Sequence, residues 1–387
     1  MDRTYLSYNN IVSALGFDSP TVIRNVHNGR SGVRTISDGD LLPIPFCASL
    51  IDTGLLDTAF EPMGEKEAYT RLEQMLLLSL DRTIKASKIA LTDRVGLIIS
   101  TTKGNVDTLD PTHPLSSERA YLDALGTIIK DYFGFKTEPI ILSNACVSGI
   151  LAISVAKRLI GRGIFDQVLI AGGDVVSPFI LSGFQSFQAL SDRPCKPYDK
   201  QRSGINIGEV AASVLVTLDP VGLAPEAVAI LGESSRNDAN HISGPSRTGE
   251  GLYRSIRSAF KEAGVGAADI DYISAHGTAT IFNDEMEAIA FDRLHLQNVP
   301  INSLKGYFGH TLGASGLLET IIGMHSLHNN TLYASLGFDE LGVSRPINVI
   351  TENIPKKLDL FLKTASGFGG CNTAAVFKKV YPWKPHN

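Results

Sequence analysis

One cysteine and two histidines stand out in this 387-residue chain because each lies where an apolar run gives way to a turn. Cys146 sits in Ile140-Ile141-Leu142-Ser143-Asn144-Ala145-Cys146-Val147-Ser148-Gly149, and a helical pattern then runs on to Ile160. That is the setting of a nucleophile elbow, where the free N–H groups and partial positive charge of a helix N-terminus stabilise a thiolate. The plainer alternative is a small buried cysteine. His276 follows Asp271-Tyr272-Ile273-Ser274-Ala275 and precedes Gly277-Thr278-Ala279-Thr280. His310 follows Lys305-Gly306-Tyr307-Phe308-Gly309 and leads into Thr311-Leu312-Gly313-Ala314-Ser315-Gly316.

The neighbours of these residues admit two kinds of role. The hydroxyls of Thr278 and Thr280 could hydrogen-bond a polar substrate arm, or merely satisfy loop backbone. Asp284 and Glu287 have capping-box spacing at a helix start, which assigns them a structural role. Lys305 and Glu319 bracket His310 and would pair to orient it; otherwise they are a surface lysine and a helix glutamate that never meet. His325 and His328 fall mid-helix without Gly framing and read as structural. A last apolar run ends in Gly367-Phe368-Gly369-Gly370-Cys371-Asn372, whose exposed N–H groups suit a developing oxyanion. As a phosphate loop it lacks the GxGxxG or Lys-Ser/Thr pattern.

Positioning these turns requires strands and helices in alternation. Continuous Ile/Val-rich runs at 95–100, 140–143, 168–172, 270–275 and 361–365 predict strands buried on both faces. Helical patterns fill 68–88, 148–160, 251–263 and 315–328, so the fold class is layered α/β. The strand 212–218 ends at Asp219-Pro220-Val221-Gly222, and a similar rhythm then restarts. The reading is two halves packed as one unit, 1–220 carrying the nucleophile and 221–387 carrying both histidines. Reactive turns at the carboxyl ends of strands lie where open α/β sheets bind ligands. A thiol, two imidazoles and an oxyanion donor converging there are the parts of acyl transfer through a thioester. A zinc site would use the same Cys-His-His set, but no two of these ligands are closely spaced, so no metal is expected.

Composition limits the alternatives. The chain is 43% hydrophobic and 19% charged, as in an ordinary soluble globular protein. A net charge of −5 argues against nucleic-acid or anionic-membrane binding as the main role. No signal segment or bilayer-length apolar run is seen, and Cys47, Cys146, Cys195 and Cys371 form no CxxC. A reduced, cytoplasmic setting is expected.

Taken together, the motifs resemble those of the β-ketoacyl-acyl-carrier-protein synthases of the thiolase superfamily, in their elongating Cys-His-His form. The resemblance runs from about Val95 to the C-terminus and, more loosely, before it. It rests on the Cys146, His276 and His310 segments, on Lys305 and Glu319, and on the loop 367–372. Further landmarks are Ala171-Gly172-Gly173-Asp174, Arg193-Pro194, Tyr198-Asp199, Arg202, Gly204 and Gly208-Glu209. The resemblance implies a thiolase-like fold of two pseudo-duplicated halves in an α-β-α-β-α core. It also implies decarboxylative Claisen condensation of an acyl thioester with a malonyl-carrier thioester. Cys146 would be the nucleophile, and His276 and His310 would drive decarboxylation, with Lys305 and Glu319 supporting His310. Asp284 and Glu287 would be supporting residues, and Thr278 and Thr280 would hold the phosphopantetheine arm. The N–H groups of Cys146 and Phe368 would form the oxyanion hole, with Phe368 also the gate to the chain pocket. No cofactor is implied beyond the carrier-borne phosphopantetheine. The implied partners are an acyl carrier protein and either a second copy or a homologous ketosynthase-like subunit.

The sequence also departs from that family. Most of the first strand expected before Ser13-Ala14-Leu15-Gly16 is absent from the pattern, and 101–132 is short. Ser366 stands where a second Phe is common, and Cys371 where Thr is usual. This compact form resembles the ketosynthases of aryl-polyene and flexirubin-type pigment pathways. A non-catalytic chain-length partner shares the fold, but such partners lack the nucleophile. Lys66, Arg71 and Arg202 are the basic residues offered for docking an acidic carrier.

Overall fold

The computed structural model describes residues 3–238 and 244–381. Among them, eleven strands join into one sheet. From one edge the order is Asn348–Val349, Pro300–Asn302, Tyr272–Ser274, Leu360–Gly367, Cys371–Lys379 and Val228–Asn237. It continues through Thr4–Ser13, Val210–Thr217, Gln167–Asp174, Val95–Ser100 and Ile140–Leu142. Each half repeats one plan. Strands 140–142, 95–100 and 167–174 are parallel, and 210–217 and 4–13 follow antiparallel. In the other half 300–302, 272–274 and 360–367 are parallel, and 371–379 and 228–237 follow antiparallel.

The two halves meet where Thr4, Tyr5 and Leu6 pair with Ile230, Ala229 and Val228. Between them lie the helices Ser148–Gly161 and Ser315–Asn329, which touch each other and strands of both halves. Helix 315–329 is buried nearly all round, which explains why its sequence shows so little amphipathic contrast. Gly149 lets the two helices close up, since a Cβ there would lie 2.6 Å from the backbone nitrogen of Leu317. Arg71–Ser87 and Leu122–Phe133 cover the outer face of the first half, and Glu250–Ala263 and Ile281–Arg293 that of the second. The result is five layers, α-β-α-β-α.

Two boundary shifts have local causes. The helix expected from 68 begins at Arg71, because Thr70 and Glu73 exchange hydrogen bonds in a capping box. The strand expected over 270–275 pairs only through Tyr272–Ser274.

The first strand is a larger correction. Thr4–Ser13 is ten residues long and occupies the centre of the sheet. Its buried Ser7 and Asn10 break the apolar pattern, but both are satisfied. Ser7 Oγ accepts from the Ala224 N–H at 2.9 Å, and Asn10 Nδ2 donates to the Phe17 carbonyl at 3.3 Å. A bulge between Leu6 and Asn9 further disturbs the alternation. Since Ile11 is wholly buried in this strand, Ile11→Ala is expected to cost about 2–5 kcal/mol of stability in urea unfolding. A loss below about 0.5 kcal/mol would mean the strand contributes little.

Candidate active site

The Cys146 turn is locked from within. Ala145 adopts a left-handed conformation, φ 44°, which throws the next side chain out of the strand line. Ser148 Oγ accepts from the Asn144 N–H at 2.8 Å and donates to the Ala145 carbonyl at 2.7 Å, clamping both ends of the turn. Cys146 Sγ then lies 3.0 Å from His310 Nε2.

His310 has a defined tautomer. The Leu312 N–H donates to its Nδ1 at 3.3 Å, and Ser315 Oγ lies 3.0 Å from the same nitrogen. Nδ1 is therefore an acceptor, and the neutral ring carries its proton on Nε2, facing the sulfur. His276 sits beside it, ring centroids 5.2 Å apart and planes at 82°. Its Nδ1 is buried without a hydrogen-bond partner among the described residues. Burial first, and the nearby Lys305 charge second, hold both imidazoles well below the ordinary histidine pKa. Both are neutral.

Asp284 and Glu287 do not cap the following helix. That helix starts after Thr280 with no side-chain cap, and both carboxylates turn inward, fully buried. Glu287 accepts from the N–H groups of His276 (2.9 Å) and Gly277 (2.7 Å) and from the Tyr198 hydroxyl (3.0 Å). Asp284 accepts from the N–H groups of Thr278 (2.9 Å) and Tyr198 (2.7 Å). The pair shapes the His276 loop. Its sequence spacing mimics a capping box because both residues sit in the first two turns of that helix.

Lys305 and Glu319 do meet: Nζ donates to Oε1 at 2.5 Å, with both side chains buried. A third charge joins them, for Lys363 Nζ lies 2.6 Å from Glu319 Oε2. Lys363 was not among the residues expected at the site, although a lysine inside Leu360-Phe361-Leu362-Lys363 is an anomaly in a strand predicted to be buried on both faces. Asp174, in the sequence only a landmark, receives the Thr101 hydroxyl and the N–H groups of Thr102 and Gly313. This carboxyl ties the turn after one strand to the loop after His310.

The Gly-rich loop closes onto Cys146. A Cβ at Gly367 would lie 3.0 Å from the Cys146 nitrogen. The N–H groups of Phe368 and Cys146 both act on the sulfur, pulling its pKa down. Burial outweighs them, and the opposing Lys305 charge, and pushes the Cys146 thiol up to about 12. The resting group is thus a thiol, not the thiolate expected from the helix end alone.

These groups line a cleft of about 500 Å³ that also includes Thr278, Thr280, Phe368, Ser366 and Cys371. The Thr278 and Thr280 hydroxyls face each other at 2.9 Å. Phe368, 37% exposed, packs against Phe184 and Phe187 at the mouth. Cys371 Sγ donates to Asn144 Oδ1 at 2.9 Å, and Ser366 Oγ to Asn372 Oδ1 at 2.8 Å. One thiol and two imidazoles offer donor atoms within 4.8 Å of one another. His325 lies elsewhere, mostly buried against Asn9.

Two of the three docking candidates are structural. Arg71 forks onto Glu209 and the Ile51 carbonyl. Arg202, with its side chain 6% exposed, binds the carbonyls of Asp199 and Gly342. Lys66 is on the surface, paired with Asp57. Among the described residues no helix is long and apolar enough to cross a membrane.

A thiol held against an imidazole, with N–H groups gathered at the same sulfur, equips a duplicated α/β frame for acyl transfer through a thioester. Residues 11–220 match the model for the β-ketoacyl synthase N-terminal domain, and residues 227–339 that for the C-terminal domain. The chain belongs to the β-ketoacyl synthase family. It is 35% identical to the 3-oxoacyl-[acyl-carrier-protein] synthase 2 of Rhizobium meliloti over 254 residues, 61% of this chain and 59% of that protein. It is 28% identical to the tetracenomycin polyketide synthase ketoacyl synthase alpha subunit of Streptomyces glaucescens, covering 91% of each. It also superimposes on a chain of the complex of ketosynthase ApeO with its chain length factor ApeC from Xenorhabdus doucetiae. There the TM-score is 0.87 at 28% identity, over 98% of both chains.

The raised thiol pKa has a direct consequence. Iodoacetamide labelling of Cys146, followed by intact mass, is expected to quicken about tenfold per pH unit through about pH 9 without levelling. A plateau below about pH 8 would show that the helix end outweighs burial.

Proposed function

We propose that this chain is a β-ketoacyl-acyl-carrier-protein synthase that elongates a carrier-bound acyl chain by decarboxylative condensation. The observation that carries the reading is the 3.0 Å approach of His310 Nε2 to Cys146 Sγ at the base of the cleft. In the first half-reaction the Cys146 sulfur attacks the acyl thioester carbonyl. The oxyanion lies against the N–H groups of Cys146 and Phe368, the carrier's thiol leaves with the proton, and the acyl group stays on Cys146.

A malonyl-carrier thioester then enters past Phe368, its arm held by Thr278 and Thr280. Its carboxylate–carbon bond breaks, CO2 departs, and the electron pair left behind forms an enolate. Neutral His310, with its proton on Nε2, donates to that enolate oxygen, and His276 supplies the second donor. Lys305 with Glu319, and Asp284 with Glu287, hold the two rings in place. The enolate carbon attacks the acyl-Cys146 carbonyl, the C–S bond breaks to release the thiolate, and Cys146 takes up one proton from solvent as the β-ketoacyl product leaves on the carrier. The partners are an acyl carrier protein and a second subunit, either another copy or a homologous ketosynthase-like chain. The similar chain in the complex of ketosynthase ApeO with its chain length factor supports the latter arrangement. A non-catalytic chain-length role is less well supported, because it gives the Cys146–His310 pair nothing to do. Fatty-acid or polyketide elongation, with aryl-polyene synthesis among the polyketide options, and a cytoplasmic location complete the reading.

Intact-mass analysis after incubation with acyl-carrier protein is the test. Wild type should gain one acyl group and Cys146→Ala none; equal acylation of both would overturn the assignment. His310→Ala should still self-acylate but release CO2 from malonyl-carrier protein about 10²–10³-fold more slowly. Undiminished CO2 release would remove His310 from the mechanism.

A further inference from the structure

Lys363 carries a buried charge that this mechanism does not use. It is wholly inaccessible in the strand Leu360–Gly367, between Leu362 and Thr364. Its Nζ donates to the carbonyls of Thr364 (2.7 Å), Ser274 (3.1 Å) and Ala275 (3.3 Å) and lies 2.6 Å from Glu319 Oε2. Lys305 holds the other oxygen of the same carboxylate at 2.5 Å. Two ammonium groups therefore share one carboxylate, leaving a surplus of one positive charge behind the imidazoles. Burying an ammonium is costly, and an apolar side chain would satisfy the strand's packing without it.

We propose that Lys363 is a positioning residue for both histidines. With Lys305 it outweighs Glu319, so the charge behind the rings disfavours imidazolium. Through the carbonyls of Ser274 and Ala275 it also fixes the strand end that carries His276. The inference rests on the condensation reading and deepens it.

Neutral rings matter here for a geometric reason. A proton added to His310 would sit on Nδ1 and face the Leu312 N–H, donor against donor, breaking the contact that orients the ring. The other charged groups nearby are already committed. Glu287 and Asp284 are engaged by the N–H groups of the His276 loop, and Asp174 by the turn behind Cys146. Burial and Lys305 lower both imidazoles most, and Lys363 acts in the same direction on each.

The test compares Lys363→Gln, which keeps an N–H donor but loses the charge, with Lys363→Gln/Glu319→Gln, which restores the surplus of one. Two profiles are followed against pH: CO2 release from malonyl-carrier protein, and histidine ring titration by NMR. In the single variant the acid limb and the ring titrations should move up by about one pH unit, because removing a cation favours imidazolium. In the double variant both should return toward wild type. An unshifted single variant, or a double variant no closer to wild type than the single, overturns the proposal. A uniform loss of kcat without a pH shift does the same, since it is what a merely structural lysine would give. Should Lys363→Gln not fold, Lys363→Met removes the same charge at similar length and must give the same shift. If wild type releases no CO2 the condensation reading fails, while the ring titration still decides the role of Lys363.

Discussion

Glu319 is a carboxylate with almost no access to water, placed between two ammonium groups that are just as deeply buried. In a low-dielectric interior such a group must be paired or neutralised, and its partners cannot move without leaving a charge exposed to hydrocarbon. The helix Ser315–Asn329 carries Glu319 and also Ser315, which holds His310. Lys305 stands five residues before His310, and Lys363 reaches the backbone just before His276. One buried ionic contact thus ties together the segments that carry both imidazoles.

The same reasoning extends outward. Asp284 and Glu287 are buried carboxyls satisfied by backbone N–H groups, so they specify the His276 loop as a mould rather than cap a helix. Asp174 does this for the turns around Cys146. The Cys146 and His276 side chains make few hydrogen bonds of their own. Their positions come from neighbours whose polar groups cannot be left unsatisfied. Burial has a second consequence, because it keeps the Cys146 thiol protonated and the histidines neutral. A thiol facing an imidazole N–H is a resting state suited to donating hydrogen bonds to oxyanions rather than to storing a thiolate.

Much of the site was legible because its chemistry is punctuated. An apolar run that ends in Gly-framed Cys146, His276 or His310 marks strand, turn and reactive residue within a dozen positions. Thr4–Ser13 was missed because Ser7, Asn9 and Asn10 look like loop residues until the distant groups that satisfy them are in place. Ala224, Phe17 and Glu226 supply those partners. Arg202 looked like surface for the same reason, since its carbonyl partners at Asp199 and Gly342 are brought together only by folding.

By itself, the sequence determined the local grammar: which runs are strands, where the reactive turns fall, and which thiol and imidazoles occupy them. Those follow from side-chain periodicity and backbone preference, which act over a few residues. Only the tertiary structure decided that Glu319 serves two lysines, that Asp284 and Glu287 face inward, and that the sulfur rests as a thiol. Each of these depends on how far water is excluded and on which charge stands across the gap, and neither quantity exists until distant segments pack.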